Sequence, residues 1–398
     1  MKKILLLFLF ASCYCIIYGQ KNVPIMQKNS TGKEHQIDIY SAIQKAIPIL
    51  SLSQIAKDIE FVPLETTDEC LLDQFLKDIV ITNNDIFVFD YTKCYHFNRK
   101  GKFLNGIGVK GQGPGEYTKA MAISVDTINK WIYLSDNRTQ RLLKYDYAGK
   151  YLKTIKINIS SKQNYLNKPG ELILENDNYG FEKSGKRYSL YLYSETKNIF
   201  LSKMACEWHG KIPSLAMWDP IVCKHNNALY LLDFWSDTIY QYKSPIYLES
   251  HAVLKKGKFI NRTIDDKSLL TGKEDIHDRM TLGVNRMSET DRYILLSTNR
   301  GNIIYDKKTR TTIAGGFDEK TKTCVTDDLY GGSGIRSDHF PCSSKGDELY
   351  TFRYTYELIE AAKAKHLIND SRYIAYQNML KKLGPENNPV IMIIKLKK

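Results

Sequence analysis

The chain has 398 residues, 57 basic and 44 acidic, for a net charge of +13, with 43% hydrophobic and 25% charged side chains; that is a globular composition able to bury a sizeable core. With only 24 Gly and 11 Pro, it is neither collagen-like nor low-complexity, and its apolar share excludes a disordered chain. The length predicts two or three domains unless the chain is one repeat array, and 27 Tyr and 15 Phe against 4 Trp favour sheet, where aromatic side chains fit a half-buried pleated surface.

Lys2 and Lys3, followed by the apolar run Ile4–Phe10, have the form of an export signal, the run being too short to span a bilayer. Two processing sites compete. Phe10, Ala11, Ser12 and Cys13 match a bacterial lipobox in which Cys13 would be lipidated, with Phe10 in place of the preferred Leu; cleavage after Gly19 would instead free a soluble periplasmic protein. No second apolar run approaches the roughly 20 residues of a spanning helix. The expectation is a signal peptide at 1–19, an N-terminal extension at 20–57, and export to the periplasm or outer membrane with lipidation at Cys13 favoured.

From residue 58 onward an internal repeat organises the chain. Ile86–Asp90 leads through Tyr95 to Gly101, Lys102 and Phe103; Ile132–Asp136 leads in the same way through Leu143 to Gly149, Lys150 and Tyr151. Each copy has an apolar strand ending in Asp, a second alternating strand, a Gly-Lys-aromatic turn and a further strand. Weaker copies follow at Leu229–Asp233 with Asp237–Tyr242, at Tyr293–Leu296 with Asn302–Asp306, and at Glu348–Arg353, while Tyr188–Tyr193 with Thr196–Asn198 fills the remaining gap. Units of short strands cannot close a core alone and must stack, and radial stacking into propeller blades leaves only short protected edges. Six units are predicted, with Ile59–Glu65 and Asn388–Lys395 pairing from opposite ends of the chain to close the ring.

The stretch Gly108–Tyr117, with Ile123–Asp126, Ile132–Asn137 and Leu143–Tyr151, is similar to an NHL repeat. Across residues 58–398, including Pro63–Thr66, Ser236–Tyr240 and Asn388–Val390, the chain resembles the six-bladed β-propeller lipoproteins of Gram-negative bacteria. This resemblance implies an all-β six-bladed propeller and export, and carries no defined activity. One segment departs from the pattern: Leu358, Ile359, Ala362, Leu367, Ile374, Leu380 and Leu383 have helical spacing, and Gly384 and Pro385 end the run. A small helical insertion at about 356–383 inside the last blade is expected, interrupted near Asn369–Ser371, with Ser371 able to cap a second helix.

Gly106, Gly108 and Gly111 match a dinucleotide fingerprint by letter, but Gly113, Pro114 and Gly115 follow where a phosphate-binding turn must open a helix. The segment 327–339 gathers Asp327, Asp328, Arg336, Asp338 and His339 among glycines. Loops on rigid scaffolds carry function, and this set can ligate a divalent cation or orient a polar ligand; the alternative is a solvated loop with Asp turn bonds. The eight His form no H-x-H or H-E-x-x-H pair, and no G-x-S-x-G nucleophile elbow occurs. No two of the six Cys beyond the signal have C-x-x-C spacing; Cys324 and Cys342 flank the Gly-rich segment and could clamp it, and buried free thiols are the alternative. Trp208, Trp218 and Trp235 could stack on sugar rings or pack a core. Basic residues are spread among acidic neighbours, which argues against nucleic acid. The sequence thus favours a non-enzymatic binding or scaffold module for a protein, peptide or glycan, without a cofactor. The rival is a metal-dependent propeller enzyme of the lyase or lactonase type with a divalent cation in the central channel.

Overall fold

A computed structural model describes residues 23–398 except 74, 177–187, 207–219, 234–235, 260–281, 344 and 364–370. The sequence predicts six blades; the structure has seven. Blade 1 comprises Asp78–Ile81, Asp85–Phe89, Cys94–Asn98 and Phe103–Gly106; blade 2 comprises Ala120–Asp126, Trp131–Asp136, Arg141–Asp146 and Tyr151–Lys156. Blade 3 is built from Ser161–Lys168, Glu171–Asn176, Tyr188–Ser194 and Ile199–Ala205, blade 4 from Ile221–His225, Ala228–Leu232, Thr238–Ser244 and Tyr247–Lys255, and blade 5 from Val284–Glu289, Tyr293–Thr298, Gly301–Asp306 and Thr311–Gly315. Blade 6 is a short three-stranded sheet of Ile335–Arg336, Thr323–Thr326 and Leu50–Ser51, and blade 7 is completed by Cys342–Ser343, Glu348–Arg353, Val390–Leu396 and Ala56–Pro63. Blade 6 escapes a repeat search because its third strand lies far upstream and its two others flank the Gly-rich segment that reads as a loop. Blade 3 also shifts in register: Tyr188–Ser194 is its third strand rather than its second, which is Glu171–Asn176.

Packing explains the repeat. The second strands are buried on both faces, as in Asp85–Phe89 and Tyr293–Thr298, because each blade is sandwiched by its neighbours. The core is accordingly a ring of clusters, for example Phe87, Phe89 and Ile107 of blade 1 with Ile123, Leu134 and Leu143 of blade 2. The Asp that ends each early second strand caps a turn: Asp90 Oδ1 accepts the amides of Thr92 at 3.0 Å and Lys93 at 2.7 Å, and Asp136 accepts those of Thr118 at 2.9 Å and Lys119 at 3.1 Å. The Gly-Lys-aromatic turns are fixed by their own backbone and by the neighbouring blade. Gly101 (φ +83°) and Gly149 (φ +82°) lie in the left-handed region, and a Cβ there would stand 2.1 Å from the Pro63 carbonyl oxygen and 2.3 Å from that of Gly106, so only glycine fits.

The ends of the chain close the ring. Val390–Leu396 pairs antiparallel with Ala56–Pro63, Met392 opposite Phe61 and Ile394 opposite Ile59. Beside this pairing Asn388, 2% exposed, donates through Nδ2 to the carbonyls of Glu65 and Cys70, both at 2.7 Å, and accepts the Leu72 amide at 2.9 Å. Thr66 Oγ1 accepts the Asn388 amide at 2.9 Å. Pro63–Thr66 and Asn388–Val390 are therefore two halves of one lock.

The N-terminal extension is a belt around the outer rim. Ile25 bridges Lys203 of blade 3, Gln27–Asn29 and His35–Asp38 pair parallel with Tyr247–Lys255 of blade 4, Ile47 bridges Gly315 of blade 5, and Leu50–Ser51 joins blade 6. Between blades 4 and 5 the belt forms helix α1, Ile39–Gln44, capped by Asp38, whose Oδ1 accepts the Ser41 amide at 3.0 Å. Its apolar side chains plug the inter-blade clusters: Met26 between blades 3 and 4, Ile37 and Ile39 between 4 and 5, Leu50 and Leu52 among 5, 6 and 7. In blade 7 the helices α2, Thr355–Ala362, and α3, Ser371–Leu380, are inserted before the final strand, and Leu358, Tyr376 and Leu380 pack on Phe61 and Tyr330.

Candidate functional site at the propeller axis

Side chains of blades 1, 2, 3, 4, 5 and 7, most of them on the first strands, join one blade to another. Asp78 Oδ2 accepts the Ile123 amide at 3.4 Å, Ser124 Oγ donates to the Asn164 carbonyl at 2.9 Å, and Lys224 Nζ donates to the Leu166 carbonyl at 3.0 Å. His225 Nε2 lies 2.8 Å from Asp291 Oδ1, Ser343 Oγ accepts the Glu289 amide at 2.8 Å, and Tyr350 Oη donates to the Ile79 carbonyl at 2.9 Å. These bonds satisfy polar groups that burial would otherwise penalise and hold the axis rigid.

Within this frame, Asp78 of blade 1, Tyr165 of blade 3, Arg286 of blade 5, and Cys342 and Tyr350 of blade 7 lie in electrostatic reach of one another. Side chains from non-adjacent blades meet in this way only at the axis. Arg286 is aimed there by its backbone: the register of Val284–Glu289 slips between Val284 and Arg286, a bulge that re-aims the following side chain. Arg286 is exposed and makes no ion pair or hydrogen bond among the described residues. Burial raises the Asp78 carboxyl to about 6, against the opposing pull of the Ile123 amide and of Lys77 and Arg286. Cys342 touches solvent yet is surrounded by protein, and its thiol is pushed up to about 11 by burial. The site therefore offers a guanidinium with no ion pair among the described residues, a carboxyl held above the usual carboxylate range, and a thiol that touches solvent.

The residues singled out in the sequence lie elsewhere, in and beside blade 6. Asp327 is buried and organises its own turn, Oδ1 accepting the amides of Leu329 at 3.1 Å and Tyr330 at 2.9 Å, and Oδ2 that of Gly332 at 3.1 Å; burial raises its carboxyl. Asp328 Oδ1 accepts the Ser53 amide at 2.9 Å. Arg336 embraces Asp338, Nε to Oδ1 at 2.9 Å and Nη2 to Oδ2 at 2.6 Å, and donates a third bond to Glu357 Oε1 at 2.7 Å. His339 packs on Phe352 with ring centroids 4.1 Å apart, and burial pushes its pKa down to about 4. The structure thus brings Arg336 and Asp338 together and engages Asp327 and Asp328 with separate partners. Among the described residues no three His, Cys, Asp or Glu side chains converge as a cation site requires. Cys324 and Cys342 are both free thiols, Cys324 within blade 6 and Cys342 at the axis, so they do not clamp the Gly-rich segment. Gly106–Gly111 leads into Val109–Lys110 paired with Glu116–Tyr117, with no helix opening there. Trp208, Trp218, Trp235 and Cys13 lie outside the described residues. The axial residues were missed because the repeat is read from apolar second strands, whereas Asp78, Tyr165, Arg286 and Cys342 lie at different positions along the first strands.

The fold is shared with solved structures. A Bacteroides fragilis protein inferred to be exported superposes with a TM-score of 0.67 at 18% identity, covering 94% of this chain and 100% of its own. A Bacteroides vulgatus member of the DUF4221 family gives a TM-score of 0.49 at 9% identity, covering 86% and 97%. Among curated proteins, none matches the sequence. Residues 34–395, nearly the whole propeller with most of its belt, match the profile of one family, and the chain belongs to it: DUF4934, a domain of unknown function.

Proposed function

We propose that this protein is an exported binding module, lipid-anchored through Cys13, that engages a protein, peptide or glycan at its propeller axis without turning it over. Export is supported by the signal-like N-terminus and by the fold shared with a Bacteroides fragilis protein inferred to be exported. The observation that carries the binding role is Arg286, a cation directed to the axis by a bulge and without an ion pair or hydrogen bond among the described residues. A guanidinium presents a planar fork of donors suited to a carboxylate or other planar anion, and rigid surroundings lower the ordering cost of binding. Asp78 beside it can accept from hydroxyl or amide donors of the same ligand.

Peptide and glycan arrays probed with the mature protein and with Arg286→Glu test this reading. Loss of the array hits in the variant, with the melting temperature unchanged, is the expected result. Hits of equal intensity for both proteins, or sustained turnover of a hit by the pure protein, would overturn it.

A further inference from the structure

A second site lies where the belt crosses from blade 4 to blade 5. There Gln36 and Asp38 of the belt, helix α1, and the outer strand of blade 5 enclose a cleft of about 410 Å³, within the usual range for small-molecule sites. Its apolar surface comes from Ile47 and Ile313, 41% and 38% exposed, with Ala42 and Ala314. Lys45 and Arg310 line it as well, and neither makes an ion pair among the described residues. The one carboxylate in the lining, Asp38, is already engaged in capping α1. The cleft therefore carries two cations against the single carboxylate of Asp38, a net positive charge, beside aliphatic surface and the side-chain amides of Gln36 and Gln54.

An extended peptide would need a continuous edge of the blade 5 strand, but the belt occupies one end of it: the Ile47 amide donates to the Ala314 carbonyl at 3.1 Å, and the Gly316 amide donates to the Ile47 carbonyl at 3.0 Å, which leaves only residues 311–313. What remains is side-chain chemistry on a compact scale. Aliphatic carbons can meet the C–H face of a ring, amides can pair with its hydroxyls, and Lys45 and Arg310 can take an anionic substituent. We infer that this cleft binds an anionic sugar unit, its charge held by Lys45 and Arg310 and its ring laid on Ile47 and Ile313. The site is separate from the axial one and does not depend on it.

Titration calorimetry of the mature protein with galacturonate, galactose 6-sulfate and galactose is the test. At least one anionic sugar should bind about tenfold or more tighter than galactose, about 1.4 kcal/mol, and the two anionic probes distinguish a carboxylate from a sulfate requirement. The exposed pair Lys45→Gln with Arg310→Gln should abolish that preference, whereas Arg286→Glu should leave it intact. Equal affinity for galactose, no heat with either anionic sugar at millimolar concentration, or unchanged binding by the double variant would each overturn the inference. Loss of the preference in Arg286→Glu alone would relocate the binding to the axis and overturn it too.

Discussion

The rim of this propeller is finished in two different ways. On blades 3 to 7 the outer edges receive backbone from the N-terminal segment, which bridges or pairs with each in turn. On blades 1 and 2 the outer strands end the sheet themselves. Phe103–Gly106 is short, and Tyr151–Lys156 places Lys153 and Lys156 on the exposed edge, both devices that discourage further strand pairing. Blades 1 and 2 are complete in a continuous stretch of chain, whereas blades 6 and 7 borrow a strand from upstream. Self-contained blades carry their instructions locally, and borrowed ones distribute them along the chain.

The sharpest way to break this contrast is at Ile37, fully buried between blades 4 and 5. Ile37→Ala should cost about 3 kcal/mol, the range for deleting a buried aliphatic side chain, read as a lower urea midpoint with an unchanged slope; a loss below about 1 kcal/mol would show that the belt is only an accessory. Asp78 belongs to self-contained blade 1 but faces the axis that all the four-stranded blades share. Its folded pKa, raised to about 6 by burial, lies above the ordinary carboxyl value, so the protonated form is the one the fold favours. The stability it contributes is present at low pH and is lost as pH rises from the ordinary carboxyl value through about 6. The melting temperature should therefore fall between about pH 4 and 6 relative to Asp78→Asn, which keeps a neutral side chain throughout; parallel curves for the two proteins would place Asp78 in an ordinary solvated setting. The smallest effect is expected on the bare rim. Leu152, 40% exposed on the outer strand of blade 2, should tolerate Leu152→Ala within about 0.5 kcal/mol, and a cost near that of Ile37→Ala would erase the distinction between the two rims.

Legibility followed the same division. The Asp-ended strands at Ile86–Asp90 and Ile132–Asp136 could be read because Asp90 and Asp136 find their amides nearby in the chain, and the turns at Gly101 and Gly149 because their left-handed backbone calls for glycine locally. The terminal pairing was also readable, since a strand-like stretch at each end left over from the repeat has nowhere else to go. Blade 6 was not, because Val325 finds Leu50 only in space. The partners of the 327–339 segment were hidden for a related reason: Asp327, Asp328 and the Arg336–Asp338 pair shape and pin that blade, and sequence alone gives polar residues no partners.

The sequence by itself determined that the chain is a radial array of small antiparallel units closed by its two ends, because strand alternation, turn glycines and capping Asp residues act over a few residues. Tertiary structure alone decided the number of blades, the path of the belt and the membership of the axial site. Those depend on which distant backbone edges and side chains are brought to pairing distance: Arg286, Asp78, Tyr165 and Cys342 are far apart in the chain and become one site only when the ring closes.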